Sequence, residues 1–186
     1  MERREAIQYL TVLLGGVLVG GEALLTGCKT KTGGTRVYSP EEIAYLNDIA
    51  DTILPPTATP GAKAANVGQF MTVMVNDCYS VEDQKAFNMG MDQLNSEANR
   101  QFKNDFVKLD EQKKHDLLVR LDKEQKDYTK NKKEKQPPHY FRMMKELTLL
   151  GYFTSEVGCT KARRYTPVPG RFDGCIPYKK GDKSFA

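Results

Sequence analysis

From Ser39 to about Val157 the apolar residues return every three or four positions and nowhere alternate, which is the spacing of amphipathic helices and not of strands. The breaks between these stretches are chemically explicit. Ser39-Pro40-Glu41-Glu42 supplies a capping hydroxyl, a proline in the first turn and two acids at the positive end of a helix dipole. Ile43, Leu46, Ala50 and Ile53 follow at helical spacing, and Pro55-Pro56 stops the helix. Past a Pro- and Thr-rich loop, a second helix is expected to begin within Gly61–Asn66, with Val67, Phe70, Met71, Met74, Val75 and Cys78 on its buried stripe. Ser80 with Glu82 and Asp83 opens a third, faced by Phe87, Met91, Leu94 and Ala98. A fourth runs roughly from Leu109 to Tyr128 on Leu117, Leu118 and Leu121, and Pro137-Pro138 opens a fifth that continues to about Val157. The predicted fold is all-α: one bundle-like domain of about five helices, residues 39–186, with an extended C-terminal tail from about residue 160.

The fifth helix differs from the others. Tyr140, Phe141, Met143, Met144, Leu147, Leu149, Leu150, Tyr152 and Phe153 cover nearly its whole circumference. Such a helix is either the centre of a bundle or is covered on a second side by another chain. Beyond Thr160 the periodicity disappears, leaving Tyr165, Pro167, Pro169, Gly170, Phe172, Gly174, Cys175 and Pro177 in a segment that cannot build a core of its own. It is expected to lie across the core of the helices.

Residues 1–27 do not belong to that domain. Arg3 and Arg4 precede an apolar, glycine-rich stretch from Ile7 to Gly21, and Leu25-Thr26-Gly27-Cys28 closes it. A positive start, an apolar centre and a small-residue end make a signal peptide, too short and interrupted to span a membrane. The ending resembles the lipobox of bacterial lipoproteins, which makes Cys28 the lipidation site. Residues 28–38 then serve as a polar tether, and the mature chain is placed in the bacterial cell envelope, periplasm-facing and lipid-anchored to a membrane. Arg3-Arg4-Glu5-Ala6-Ile7 resembles a twin-arginine export signal, with the general secretory route as its alternative. The twin-arginine route carries folded cargo, which is needed when a cofactor is inserted before export.

The chemistry of the mature chain is sparse. It contains no Gly-x-Gly-x-x-Gly, no P-loop, no Gly-x-Ser-x-Gly and no His-Glu-x-x-His. The absence of Cys-x-x-Cys-His excludes covalent c-type haem, and no zinc spacing occurs. His115 and His139 are the only histidines, and a lone helix histidine is more often structural than catalytic. The formal charge of +4 lacks the aromatic-interleaved basic stripe of a nucleic-acid binder. No catalytic, cofactor or metal residues are therefore assigned, and any exported cofactor is expected in a partner. With Cys28 acylated, Cys78, Cys159 and Cys175 remain. Their odd number suits one disulfide and a spare thiol, which is buried, free or bonded to another chain.

His139-Tyr-Phe-Arg-Met-Met-Lys-Glu-Leu-Thr-Leu-Leu-Gly-Tyr-Phe-Thr-Ser-Glu156, with Tyr165-Thr-Pro-Val-Pro-Gly170 and Asp173-Gly-Cys-Ile-Pro177, resembles the gluconate 2-dehydrogenase subunit 3 family. Ile49-Ala-Asp-Thr-Ile-Leu-Pro55, Pro60-Gly-Ala62 and Asn76-Asp-Cys-Tyr79 are similar to it as well. The resemblance implies a non-catalytic small subunit of a membrane-associated sugar or sugar-acid dehydrogenase. It implies a large partner of the glucose–methanol–choline class that holds FAD, often a cytochrome c subunit, and a twin-arginine translocase during export. It also implies a Cys78–Cys175 disulfide, for which the loop-entropy model allows about 4–5 kcal/mol. The partner-binding surface is expected from Tyr152, Phe153, Thr154, Ser155 and Glu156 together with Tyr165, Pro169, Gly170, Arg171 and Phe172, the aromatics and Arg171 acting as anchors. Internal packing is the plainer role for the same residues. A self-sufficient envelope lipoprotein that binds a ligand or acts as a scaffold is the alternative function.

Overall fold

In the computed structural model the described residues are 36–185 except 135, 169, 172 and 173, so Arg3, Arg4, Cys28, Pro169 and Phe172 lie outside them. They form one compact unit. Five α-helices carry it: α1 Pro40–Ile53, α2 Val67–Cys78, α3 Val81–Phe102, α4 Glu111–Asn131 and α5 Tyr140–Thr154. Short 3-10 turns, Ala62–Ala65 and Phe106–Lys108, precede α2 and α4, and a π-helical turn, Gly158–Ala162, follows α5. Among the described residues the only extended pairing is one isolated bridge between Arg164 and Phe185. The all-α expectation holds.

Local chemistry explains the helix ends. Ser39 Oγ accepts the Glu42 amide at 3.2 Å while Glu42 Oε2 accepts the Ser39 amide at 2.8 Å, a reciprocal box that satisfies two otherwise orphan donors. The Ser39 amide holds the Glu42 carboxyl below its ordinary range. Ser80 and Asp110 cap α3 and α4 with one side-chain bond each, accepting the amides of Asp83 and Lys113 at 3.1 and 2.8 Å. Helix α2 starts later than its sequence suggests. Ala62–Ala65 is a separate 3-10 turn, and Asn66 takes a left-handed conformation (φ 49°) that breaks it from α2. Asn47 on α1 bridges the break, accepting from the Gly68 amide at 2.7 Å and donating to Asn66 Oδ1 at 3.0 Å.

Helix α5 is the central helix, which decides between the two sequence readings. Tyr140, Phe141, Met143, Met144, Leu147, Thr148, Gly151 and Tyr152 are buried against the other helices, while Leu149 and Leu150 stay on the surface. It begins at Tyr140 and not at Pro137-Pro138, because His139 is its cap: Nδ1 accepts the Phe141 amide at 3.2 Å. Close approach is set by small residues. A Cβ on Gly90 of α3 would sit 2.2 Å from Tyr140 Cβ, so this helix pair meets only because position 90 has no side chain.

Two sequence expectations fail. Cys78 is exposed, not on the buried stripe of α2. The helix ends there, and it is Tyr79 that packs against the core. The tail also does not lie across the bundle. Tyr165, Val168, Ile176, Tyr178 and Phe185 are all exposed, and the segment returns on itself to meet Arg164. Both thiols of the expected Cys78–Cys175 disulfide are accordingly free and exposed, the Cys78 Sγ lying 3.9 Å from Met74 Sδ instead.

Candidate partner surface

The stretch Tyr152–Glu156 is expected to face a partner, yet most of its polar side chains bond back to the protein's own backbone. A Cβ on Gly151 would lie 2.6 Å from the Phe70 ring, so glycine lets α2 and α5 close. Tyr152 is internal, 4% exposed, and its hydroxyl donates to the Pro60 carbonyl at 2.6 Å. That bond ties the Pro55–Gly61 loop to the central helix across 92 residues of chain. Phe153 is half-buried and meets the Tyr152 ring edge-on, with centroids 5.2 Å apart. The Thr154 hydroxyl donates back to the Leu150 carbonyl at 2.7 Å.

Ser155 is the joint between helix and tail. Its hydroxyl donates to the Tyr152 carbonyl at 2.7 Å and accepts the Gly158 amide at 3.0 Å, so one side chain closes α5 and starts the next turn. The Cys159 amide bonds the Ser155 carbonyl at 2.9 Å, and the Cys159 thiol donates to the Phe153 carbonyl at 3.3 Å. Gly158 packs so tightly that a Cβ there would stand 1.8 Å from the Tyr152 carbonyl oxygen. Sequence reasoning missed this joint; the signal was the Ser-x-x-Gly spacing just after the apolar run.

Of the expected surface residues, Thr154, Glu156, Tyr165, Gly170 and Arg171 are exposed. Gly170 has φ 74°, a backbone conformation suited to glycine, so the tail turns there. Leu149 and Leu150, 38% and 46% exposed, add an apolar edge to the same end of α5. The exposed candidates are thus divided between the end of α5 and the tail, with Tyr152 and Ser155 holding the α5 end from within.

The histidines have structural surroundings. His139 Nδ1 is engaged as the α5 cap, and its ring stacks on Tyr140 and meets Tyr128 edge-on. Burial lowers its pKa, a shift that Glu124, 3.8 Å from Nε2, partly opposes. His115 is exposed beside Asp116. It borders a cleft of about 530 Å³ whose carboxylate Asp48 is already met by Lys63 at 2.7 Å and Lys114 at 3.5 Å. Among the described residues no group of three or more His, Cys, Asp or Glu is placed to hold a metal ion. No helix of these residues is long and apolar enough to cross a membrane.

The model of one family, gluconate 2-dehydrogenase subunit 3, matches residues 40–170, from the first-turn proline of α1 to the glycine turn of the tail. The chain belongs to this family. Membership implies association with a dehydrogenase complex. No curated protein and no solved structure matches the chain significantly.

Proposed function

We propose that this member of the gluconate 2-dehydrogenase subunit 3 family is the non-catalytic small subunit of a membrane-associated, FAD-dependent dehydrogenase of the glucose–methanol–choline class. The large subunit holds the flavin and the pocket for gluconate or a related sugar. The small subunit travels with it through the twin-arginine translocase, aids its maturation and attaches it through acylated Cys28 to the periplasm-facing side of a membrane, where a cytochrome c subunit accepts electrons. The single observation that carries the reading is the family match over residues 40–170. The geometry supports it: the motif residues Gly151, Tyr152 and Ser155 build a rigid end to α5, and the exposed edge and tail beyond it suit protein contact.

The test is gentle extraction of the tagged mature chain from membranes. Co-isolation of a flavoprotein, seen as flavin absorption and a second band, is expected. A colourless, single-component preparation, or export that is unchanged when the twin-arginine translocase is deleted, overturns the proposal.

A further inference from the structure

The charges of this chain are segregated. Residues 28–156 hold 19 Lys and Arg against 19 Asp and Glu, whereas residues 157–186 hold 7 against 2. The pairing follows the same division. Among the described residues the ion pairs lie between Arg36 and Glu146, and none involves Lys161, Arg163, Arg164, Lys179, Lys180 or Lys183. Asp182, the one described acid of the return arm, accepts the Lys179 amide at 2.9 Å. The fold gathers these cations on one structure. Arg164 donates its amide to the Ser184 carbonyl at 2.8 Å and lays its guanidinium 4.8 Å from the Phe185 ring centroid, and Lys183 donates to the Lys161 carbonyl. Ile176, Tyr178 and Phe185, 52%, 75% and 47% exposed, lie among them.

We infer that this closed C-terminal strap is a contact for an anionic phospholipid surface. The inference rests on the membrane-side placement in the proposed function, and three observations favour lipid over an acidic protein. Residues 29–35 are the whole link between the lipidation site and Arg36, and seven extended residues reach roughly 25 Å. A domain of this size has a radius of gyration of about 15 Å. It is thus held within about its own diameter of the headgroups, where its net positive end is drawn inward and pressed within a Debye length of about 8 Å. The exposed Ile176, Tyr178 and Phe185 on the same strap as the lysines suit an interface in which rings and stems sit among headgroups and ammonium groups meet phosphates. Finally, Lys179, Lys180 and Lys183 lie beyond the matched residues 40–170 and are not among the residues on which the family match rests.

The experiment uses residues 28–186 with Cys28→Ser, a chain whose core lies entirely between Tyr38 and Tyr152. Its sedimentation is measured with vesicles of mixed phosphatidylglycerol and phosphatidylcholine, and of phosphatidylcholine alone. Binding to the anionic vesicles only is expected, weakening as salt rises, and at least about tenfold weaker for Lys179→Glu/Lys180→Glu, whose side chains enter no ion pair among the described residues. Tyr178→Ser is expected to weaken it less. No binding by the parent chain, or equal binding by the lysine variant, overturns the inference. So does loss of flavoprotein capture in that variant with vesicle binding intact, which assigns the strap to a protein. Mass analysis of Cys28 from cells tests the anchor separately, so vesicle binding by a chain found unacylated would leave this inference standing and remove the anchor.

Discussion

In the bundle Phe87, Phe106 and Phe141 are at most 2% exposed, whereas Tyr165, Tyr178 and Phe185 of the C-terminal segment keep about half or more of their surface in water. Both regions carry aromatics and many charges. They differ in periodicity: apolar residues three and four apart give a helix one face to bury, and five such faces close on each other. The segment after Arg163 has no period, so its rings share no face that the bundle can cover. Charges follow the same rule. Asp122 accepts from Lys126 and Lys145 at 2.7 and 2.6 Å, while Lys179 and Lys180 form no ion pair among the described residues. A region whose groups satisfy each other is architecture, and a region that keeps exposed rings beside ammonium groups such as those of Lys179 and Lys180 is where another surface fits.

Substitutions sharpen this contrast. The largest effect is expected for Phe87→Ala, which should lower unfolding free energy in urea by about 3–5 kcal/mol, whereas Tyr178→Ala should change it by less than about 0.5 kcal/mol. An equal loss at both sites would break the comparison. Gly158→Ala comes next: the joint must shift to admit a methyl group, at about 1–3 kcal/mol, and proteolysis of the tail should quicken more than that of the helices. Tyr152→Phe removes the donor to the Pro60 carbonyl and should cost about 0.5–1.5 kcal/mol by thermal melting, with loop Pro55–Gly61 exchanging its amides faster.

The smallest effect is electrostatic and confined to the bundle. Burial tends to raise the Asp122 carboxyl, but hydrogen bonds from Lys126, Lys145 and Gln125 outweigh it and hold the pKa at about 2. The contribution of that group is present above the ordinary value near 3.8 and is lost as pH falls toward about 2. His139 has the same sign in a higher window: burial lowers its pKa from 6.5, so stability is full above 6.5 and falls as the pH drops below it. His139→Asn, which keeps a capping side chain, should flatten the melting-temperature profile just below 6.5. Lys179→Glu/Lys180→Glu should leave both windows untouched.

Much of the bundle was legible in residue order because its signals are local. Ser39, Pro40 and Glu42, Ser80 and Asp83, and the spacing of Phe87, Met91, Leu94 and Ala98 each act within a turn or two of chain. The misreadings arose where a distant contact decides. Whether Cys78 is buried depends on what packs beyond the end of α2, and no residue near Cys78 encodes that. Ser155 reads as part of a surface motif until its hydroxyl is found between the Tyr152 carbonyl and the Gly158 amide.

By itself the order of residues determined that residues 39–157 are mostly helical, where most of those helices start and stop, and that the last 25 or so residues could not build a core of their own. Hydrogen bonds of capping residues and the 3.6-residue period of side chains are short-range effects, complete before the chain meets itself. Only the tertiary structure decided that α5 is central, that Tyr152 faces inward to Pro60, and that the cations at 161–164 and 179–183 share one strap. Those outcomes depend on which faces meet across as many as 92 residues of sequence, and that is settled by shape, burial and unpaired charge acting over the whole molecule.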